Sequence, residues 1–336
     1  MSLDRQTRTA TLPAFAKINL SLKVLGQRAD GYHELRTVFQ TIGLHDRLEF
    51  EFTPGRRTKI ELDDALGIKE NLVLKAARLF FESKNGHGKL KMRLTKRIPM
   101  GGGLGGGSSD AACVLLALPA LTGREATLGE LSAMAAQLGS DVPFFLMGGA
   151  ALGLGRGEEL YPLPEPEALP VLVLAPQIHV STAEAYRALG RPALTDVDVP
   201  AKLNCFQSFV WQAYWAQAAE NDFEDAVFRL HPELARWRRK LERHGAQTAR
   251  LSGSGAALFG VFPDRANLQG ALPRFRTEPL QVFSTTMVTR ARYQAAFQRG
   301  LRGHARPGTW PPGSVYARGA QAASARGSNA GGAQSG

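Results

Sequence analysis

Residues 99 to 112 read Pro99-Met100-Gly101-Gly102-Gly103-Leu104-Gly105-Gly106-Gly107-Ser108-Ser109-Asp110-Ala111-Ala112, six of them glycine. Before this segment Leu90, Met92 and Leu94 alternate with Lys91, Arg93 and Thr95, the period of a half-buried strand. After it Ala111, Ala112, Val114, Leu115 and Leu118 recur at helical spacing. The glycines therefore join a strand to the N-terminus of a helix. Glycine has no Cβ and tolerates positive φ, so the backbone can approach a ligand closely. The first N–H groups of a helix lack internal partners, and the helix dipole lies behind them. A junction built this way is an anion site, most often for phosphate. Linkers and tight turns are also rich in glycine, but a linker is not flanked by an alternating strand and an apolar helix.

Two familiar phosphate loops fit poorly. The P-loop needs a lysine after its last glycine, and none is present here. The dinucleotide pattern G-x-G-x-x-G matches at Gly101, Gly103 and Gly106, but a glycine run satisfies many spacings. That pattern also leads through one helix to a second strand ending in an acid about 20 residues on. Here a turn over 121–127 leads to another helix, with Leu128, Leu131, Met134, Ala135 and Leu138 on one face. Thr127 and Glu130 have capping-box spacing at its start. Helix following helix argues against a dinucleotide fold.

Elsewhere the pattern is mixed. Residues 11–26 read as a strand, 35–53 as one or two more, and 144–160 as strand again. A helix is predicted over 70–81, with Leu72, Val73, Ala76, Leu79 and Phe80 on one face. The proline-rich stretch 161–167 is a candidate hinge. A buried strand follows at 169–175, then helices over 183–189, 206–220, 222–229 and 232–244. Residues 247–262 read as strand, turn, strand around Ser252-Gly253-Ser254-Gly255. Such a mixture predicts an α+β fold, and 336 residues suffice for two lobes.

Charge and cysteine content narrow the function. The net charge is +11, of which Arg302, Arg306, Arg318 and Arg326 contribute +4 in an acid-free stretch. Residues 299–336 read as a disordered basic tail, and the remaining +7 suits a body that binds anionic phosphates. Nucleic acid is not the expected partner. No apolar run reaches the roughly 18 residues of a membrane span, and the N-terminal residues lack a secretory core. Cys113 and Cys205 form no C-x-x-C, so no metal site or disulfide is expected, and a cytoplasmic setting is.

Several residues have two readings. Lys17 and Asn19 share a strand face, either as a solvent-facing pair or as part of a site. Tyr32 and His33 follow the Asp30-Gly31 turn, as surface or as a pair that stacks on a base and bonds its edge. Asp141 follows the helix stop at Gly139, as a turn cap or as a general base.

The wording Gly103-Leu104-Gly105-Gly106-Gly107-Ser108-Ser109-Asp110-Ala111-Ala112 resembles the phosphate loop of the GHMP small-molecule kinases, which include galactokinase, homoserine kinase and mevalonate kinase. Ala16–Leu20, Gly26–Leu35, Glu70-Asn71-Leu72, the loop, Gly139–Phe145 and Leu251–Gly255 occur in one order. That order resembles a branch acting on a methylerythritol linked to cytidine diphosphate, in non-mevalonate isoprenoid precursor synthesis. The likeness runs from about residue 12 to about residue 295. It implies a two-lobed fold, with a ribosomal-protein-like N-terminal domain over 1–160 and a C-terminal α/β-sandwich domain over 161–298. ATP and acceptor would share the cleft between them.

The resemblance also implies roles. Asp141 would accept the proton of the acceptor's 2-hydroxyl, with Lys17 near both Asp141 and the transferring phosphate. Asn19 would hydrogen-bond the acceptor. Pro99, Met100, Gly101, Gly102, Gly103, Leu104, Gly105, Gly106, Gly107, Ser108 and Ser109 would hold the ATP phosphates, with Ser108 or Ser109 near Mg²⁺. Asn71 would lie near the nucleoside of ATP. Tyr32 would stack on cytosine, His33 would bond its edge, and Tyr186 would supply a second aromatic, or else pack on the core. One departure is Gly253-Ser254-Gly255-Ala256-Ala257, where the family often has Gly-x-Gly-Pro-Thr. A mevalonate or homoserine kinase would leave Tyr32 and His33 without a task. A nucleic-acid binder without catalysis would need neither Lys17 nor Asp141. Monomer and homodimer both remain open.

Overall fold

The computed structural model of the protein describes residues 6–68, 70–165, 167–194 and 220–304. Two long antiparallel strands, β1 (Arg8–Gln27) and β2 (His33–Pro54), set the frame. Their turn closes with Gly31 N–H donating to Arg28 O at 3.0 Å, and Gly31 takes a φ of 82°. The second half of β2 receives β4 (Gly88–Thr95), and its first half receives β5 (Ala150–Leu154). Strand β3 (Lys59–Asp64) runs parallel to β4, and β6 (Glu159–Pro162) antiparallel to β5, completing a six-stranded sheet.

Helices α1 (Leu72–Ser83), α2 (Gly106–Thr122) and α3 (Leu128–Leu138) and the short α4 (Phe144–Met147) cover one face of that sheet. Every residue of α2 from Ser109 to Leu121 is buried, so the helix that follows the glycine loop is the centre of the first lobe. The capping box of Thr127 and Glu130 is present at the start of α3. A second sheet has the order β10-β7-β9-β8, with β7 Pro170–Pro176, β8 Thr248–Leu251, β9 Leu258–Val261 and β10 Leu280–Thr286. Around it lie α5 (Thr182–Leu189), α6 (Phe223–Leu230), α7 (Pro232–Arg243) and α8 (Arg265–Ala271).

Strand β1 passes through three cores in turn. Ala10, Leu12 and Ala14 belong to the first lobe, and Leu22 and Val24 to the second. Between them Ala16 and Ile18 pack with Val171, Val173 and Phe259 of the second sheet. Lys17 and Asn19 thus sit at the waist between the lobes. The β1–β2 register shifts on either side of them, at Phe15/Ala16 and Asn19/Ser21. Such bulges re-aim side chains along a strand.

Several expectations change. The apolar run starting at Phe144 begins as the helical turn α4, because short apolar runs do not reveal their period. The second-lobe boundary at 298 also moves. Helix α9 (Arg290–Gly300) returns to the first lobe through Tyr293, Phe297 and Leu301, all in its core. Ordered chain therefore extends past 299, and His304 Nε2 lies 2.9 Å from Thr9 O. The stretch expected to be a hinge is tied down by Leu163 N–H to Ala150 O, 3.0 Å, and by the Glu165–Arg290 pair, 3.2 Å. The helix expected over 206–220, Cys205 and the tail from residue 305 lie outside the described residues, except that Glu220 is described just before α6.

Candidate active site

Lys17 does not face solvent: its side chain is 4 % exposed. Its Nζ donates to Asn19 Oδ1 at 2.8 Å and pairs with Asp141 Oδ2 at 3.3 Å. Asn19 Nδ2 in turn donates to Thr37 Oγ1 at 2.7 Å, and Thr37 Oγ1 to Ser21 O at 2.9 Å. This chain of bonds fixes the orientation of the Asn19 amide, so that its oxygen and not its nitrogen meets the ammonium. The Phe39 ring lies 5.4 Å from Nζ and closes off water on that side. The Asp141 carboxylate keeps 34 % of its surface, so one partner is buried and the other is open to the cleft. With its carboxylate on Lys17, Asp141 is not used as a turn cap.

The glycine loop joins this pair through its backbone. Lys17 N–H donates to Leu104 O at 3.0 Å. Gly101, Gly103 and Gly105 all have positive φ, between 71° and 74°. At Gly105, the cap of α2, a Cβ would meet the Phe145 ring at 2.7 Å and Lys17 Cγ at 3.1 Å. At Gly103 it would lie 2.0 Å from Ser252 O. Ser252 Oγ donates to Gly103 O at 2.9 Å, so the Ser252–Gly255 turn braces the loop although its sequence departs from the family pattern. Gly253 remains 3.7 Å from Asn19 Oδ1, measured to a built Cβ. Met100, Gly101 and Gly107 are exposed, whereas Gly102, Leu104 and Ser109 are buried. Pro99, Gly106 and Ser108 are half-buried. Beneath the loop, burial pushes the Asp110 carboxyl up to about 7, against the opposing pull of Lys96.

A cleft of about 700 Å³ opens from this point. Lys17, Asn19, Tyr32, His33, Asp141 and Tyr186 all line it, as does Gly103 of the loop. Tyr32 is 54 % exposed, with the Arg156 guanidinium 4.6 Å from its ring centroid. His33 stacks on Tyr186 with centroids 4.2 Å apart, and Tyr186 meets Phe223 edge-on. Tyr186 packs on the second-lobe core and also lines the cleft. Burial lowers the His33 imidazole below its usual value. Burial first, and the Asp141 charge second, push the Tyr186 phenol up to about 12.

Asn71 sits apart from that cleft. Its Oδ1 accepts from Val73 N–H at 3.0 Å and caps α1, while Nδ2 donates to Asp64 Oδ2 at 3.0 Å. Its amide is thus committed within the fold. The next residue, Leu72, lies 3.8 Å from a Cβ built on Gly107, so the start of α1 borders the loop exit.

Some cleft residues carry no local signature. Thr37, Arg156, Arg187 and Arg191 line it, and Arg191 is held by Asp222 at 2.7 Å. Scattered arginines in loops and short helices are indistinguishable from surface charge without the fold. Another hollow of about 820 Å³, between β2, β10, α8 and α9, contains none of the residues singled out above. Among the described residues neither a carboxylate nor any part of the glycine loop lines it.

Comparison with known proteins agrees with the geometry. The family described as GHMP kinases N terminal domain matches residues 71–149, and GHMP kinases C terminal matches residues 212–278. A protein of Solibacter usitatus named 4-diphosphocytidyl-2-C-methyl-D-erythritol kinase is 52 % identical over 313 residues, 92 % of this chain and 98 % of that protein. One of the same name from Moorella thermoacetica is 40 % identical over 83 % of this chain and 98 % of its own. A crystal structure of 4-(cytidine 5'-diphospho)-2C-methyl-D-erythritol kinase superposes with a TM-score of 0.69 at 36 % identity, over 84 % of this chain and 99 % of the other.

Proposed function

We propose that this chain, which belongs to the 4-diphosphocytidyl-2-C-methyl-D-erythritol kinases within the GHMP kinases, moves the γ-phosphoryl group of ATP to the 2-hydroxyl of 4-diphosphocytidyl-2-C-methyl-D-erythritol. The observation that carries this reading is the Lys17–Asp141 pair, in a cleft bounded by the glycine loop and the Tyr32–His33–Tyr186 cluster.

Phosphoryl transfer asks for positioning and neutralisation of charge more than for covalent chemistry. Asp141 accepts the hydroxyl proton while the hydroxyl oxygen bonds to the γ-phosphorus and the bond to the β-phosphate oxygen breaks. Lys17 Nζ, paired with Asp141, offsets charge on the transferring oxygens. Asn19, held by Lys17 and Thr37, orients the acceptor end. The loop from Pro99 to Ser109 presents backbone N–H groups at the start of α2 to the ATP phosphates.

The residues present also suit Mg²⁺. Ser108 keeps surface at the first turn of α2, Asp141 faces the cleft, and Ser109 Oγ is buried without a hydrogen-bond partner. Oxygen donors fit a hard cation, and among the described residues no group of three or more His, Cys, Asp or Glu forms a closed cage. Ser108 or Ser109 would hold the ion, which would neutralise β- and γ-phosphate oxygens when bound.

On the acceptor side, cytosine stacks on Tyr32, and His33 offers its edge to the base. Tyr186 supports the pocket through its stack with His33. Arg156, Arg187 and Arg191 suit the diphosphate, since guanidinium groups bond phosphate oxygens in a planar fork. Asn71 frames the nucleoside side by holding α1 against the loop exit. The reaction belongs in the cytoplasm, where the buried free thiol of Cys113 stays reduced.

Asp141→Asn tests the assignment. It should lower kcat by about 100-fold or more, the usual range for a general base, and leave the KM for ATP within about threefold. Intact turnover would remove Asp141 from that role.

A further inference from the structure

Three ionisable side chains lie buried together beneath the glycine loop. Asp46 of β2 has no exposed side-chain surface, and Lys96 and Asp110 have 8 % and 3 %. Lys96 Nζ donates to Asp46 Oδ2 and, at 2.7 Å, to Asp110 Oδ2. Asp46 Oδ1 accepts from the backbone N–H groups of Arg97, at 2.5 Å, and Ile98, at 2.8 Å. Lys96 to Ile98 is the stem that enters the loop, and Gly106 to Asp110 is the stem that leaves it. A Cβ built on Gly106 would stand 3.2 Å from Lys96 Nζ, so the ammonium lies directly against the leaving stem. The entering stem is therefore bonded to Asp46 of β2 directly, and the leaving stem is joined to it through Lys96.

Buried ions are costly to desolvate, and apolar residues of similar volume often replace them with no loss of stability. Stability alone is therefore a poor reason for this trio. What an apolar trio lacks is direction. Packing sets an approximate volume, whereas two directed bonds from one ammonium fix where each stem lies. A loop that binds through backbone N–H groups depends on such placement, because a displacement of about 1 Å at a positioned group is felt as a large loss.

We propose that Asp46, Lys96 and Asp110 form a staple across the two stems, which holds the loop in its nucleotide-binding shape before nucleotide arrives. They are positioning residues, and none touches the reacting atoms. The proposal rests on the reading of the loop as the ATP site. Without the staple the loop must be ordered at each binding event, so nucleotide affinity falls while the acceptor pocket is unchanged.

The test uses the full chain, with Asp110→Asn and Lys96→Met, and titrates ADP with Mg²⁺ by calorimetry in the absence of acceptor. Asp110→Asn preserves shape and replaces the carboxylate that accepts from Lys96 Nζ with an amide. Its Kd for ADP and its KM for ATP should rise about tenfold, a difference of ~1.4 kcal/mol. The KM for the acceptor should stay within about twofold. A purely structural trio would lower the melting temperature and leave ADP affinity in the folded protein unchanged, and that result overturns the staple. If Lys96→Met fails to fold, Asp110→Asn decides alone. A wild-type chain that binds ADP yet phosphorylates no acceptor would refute the proposed function, while the ADP comparison would still decide the staple. A wild-type chain that binds no ADP overturns both.

Discussion

Replacing Gly103 by alanine tests whether the loop is braced from the second lobe. A Cβ at Gly103 would stand 2.0 Å from Ser252 O, where real Cβ atoms keep at least 3.0 Å, so the two backbones must part by about 1 Å. Neither can yield as a flexible side chain would, because both contacting groups are main chain. The φ of 74° adds about 1–2 kcal/mol for a residue with a Cβ. Loss of the 2.9 Å bond from Ser252 Oγ to Gly103 O adds about 1 kcal/mol. The sum is about 2–3 kcal/mol, which at roughly 2 °C per kcal/mol for a large chain lowers the melting temperature by about 4–6 °C. Gly67 is the control. It has a φ of 58° and nothing within 4 Å of its built Cβ, so Gly67→Ala carries the backbone strain alone. Thermal unfolding of both variants should show Gly103→Ala falling about twice as far, with the KM for ATP raised about tenfold or more in that variant only. Equal melting shifts with an unchanged KM would refute the brace.

Other outcomes follow from the acceptor pocket and from α1. Tyr32→Ala should raise the KM for the cytidine-bearing acceptor by about 5- to 150-fold, since stacking of a base on an aromatic ring contributes about 1–3 kcal/mol. The KM for ATP should not move, and an equal rise in both constants would count against stacking. Burial lowers the His33 imidazole, so it is neutral at pH 7 and charges only below the ordinary value of about 6.5. Its contribution to folding is complete above that pH and is lost as the pH falls from there through the lowered value. The acceptor KM should be flat from pH 8 to about 6.5 and rise below it, and His33→Gln should remove the rise. A profile unaffected by His33→Gln would assign the titration elsewhere. Asn71→Ala removes a helix cap worth about 1 kcal/mol and should lower the melting temperature with less than about a threefold change in the KM for ATP. A much larger rise would mean that the Asn71 amide touches the nucleotide itself.

The loop was legible because strand period, glycine run and helix period are all local, although α2 starts earlier than the apolar period shows, at Gly106 within the run. Lys17 and Asn19 were legible as partners on one face, but not as buried. Their cover comes from Phe39, from the glycine loop at Gly105 and from the turn at Gly253, all distant from them in sequence. Alternation along β1 cannot report on that, although the apolar residues on both faces around Lys17 hint at two-sided burial. The meeting of Lys17 with Asp141 rests on the resemblance, since no local pattern joins residues so far apart. Strand β3, with its charged Lys59-Ile60-Glu61-Leu62-Asp63-Asp64, is an edge whose propensity is weak, and only pairing with β4 defines it. Helix α9 could have been read from the stripe Tyr293, Phe297 and Leu301, whose spacing of four is helical. The Asp46–Lys96–Asp110 trio had no signature, because its members lie on a strand, a loop stem and a helix.

The central claim is the acceptor, and it is tested by direct assay of ATP-dependent phosphorylation. The purified chain is given ATP and Mg²⁺ with 4-diphosphocytidyl-2-C-methyl-D-erythritol, mevalonate or homoserine in parallel, and both ADP and phosphorylated product are measured. We expect turnover of the cytidine-bearing alcohol alone, with one ADP formed per phosphate transferred. Turnover of mevalonate or homoserine at a comparable rate, or no turnover of any acceptor by a chain that still binds ATP, would contradict it.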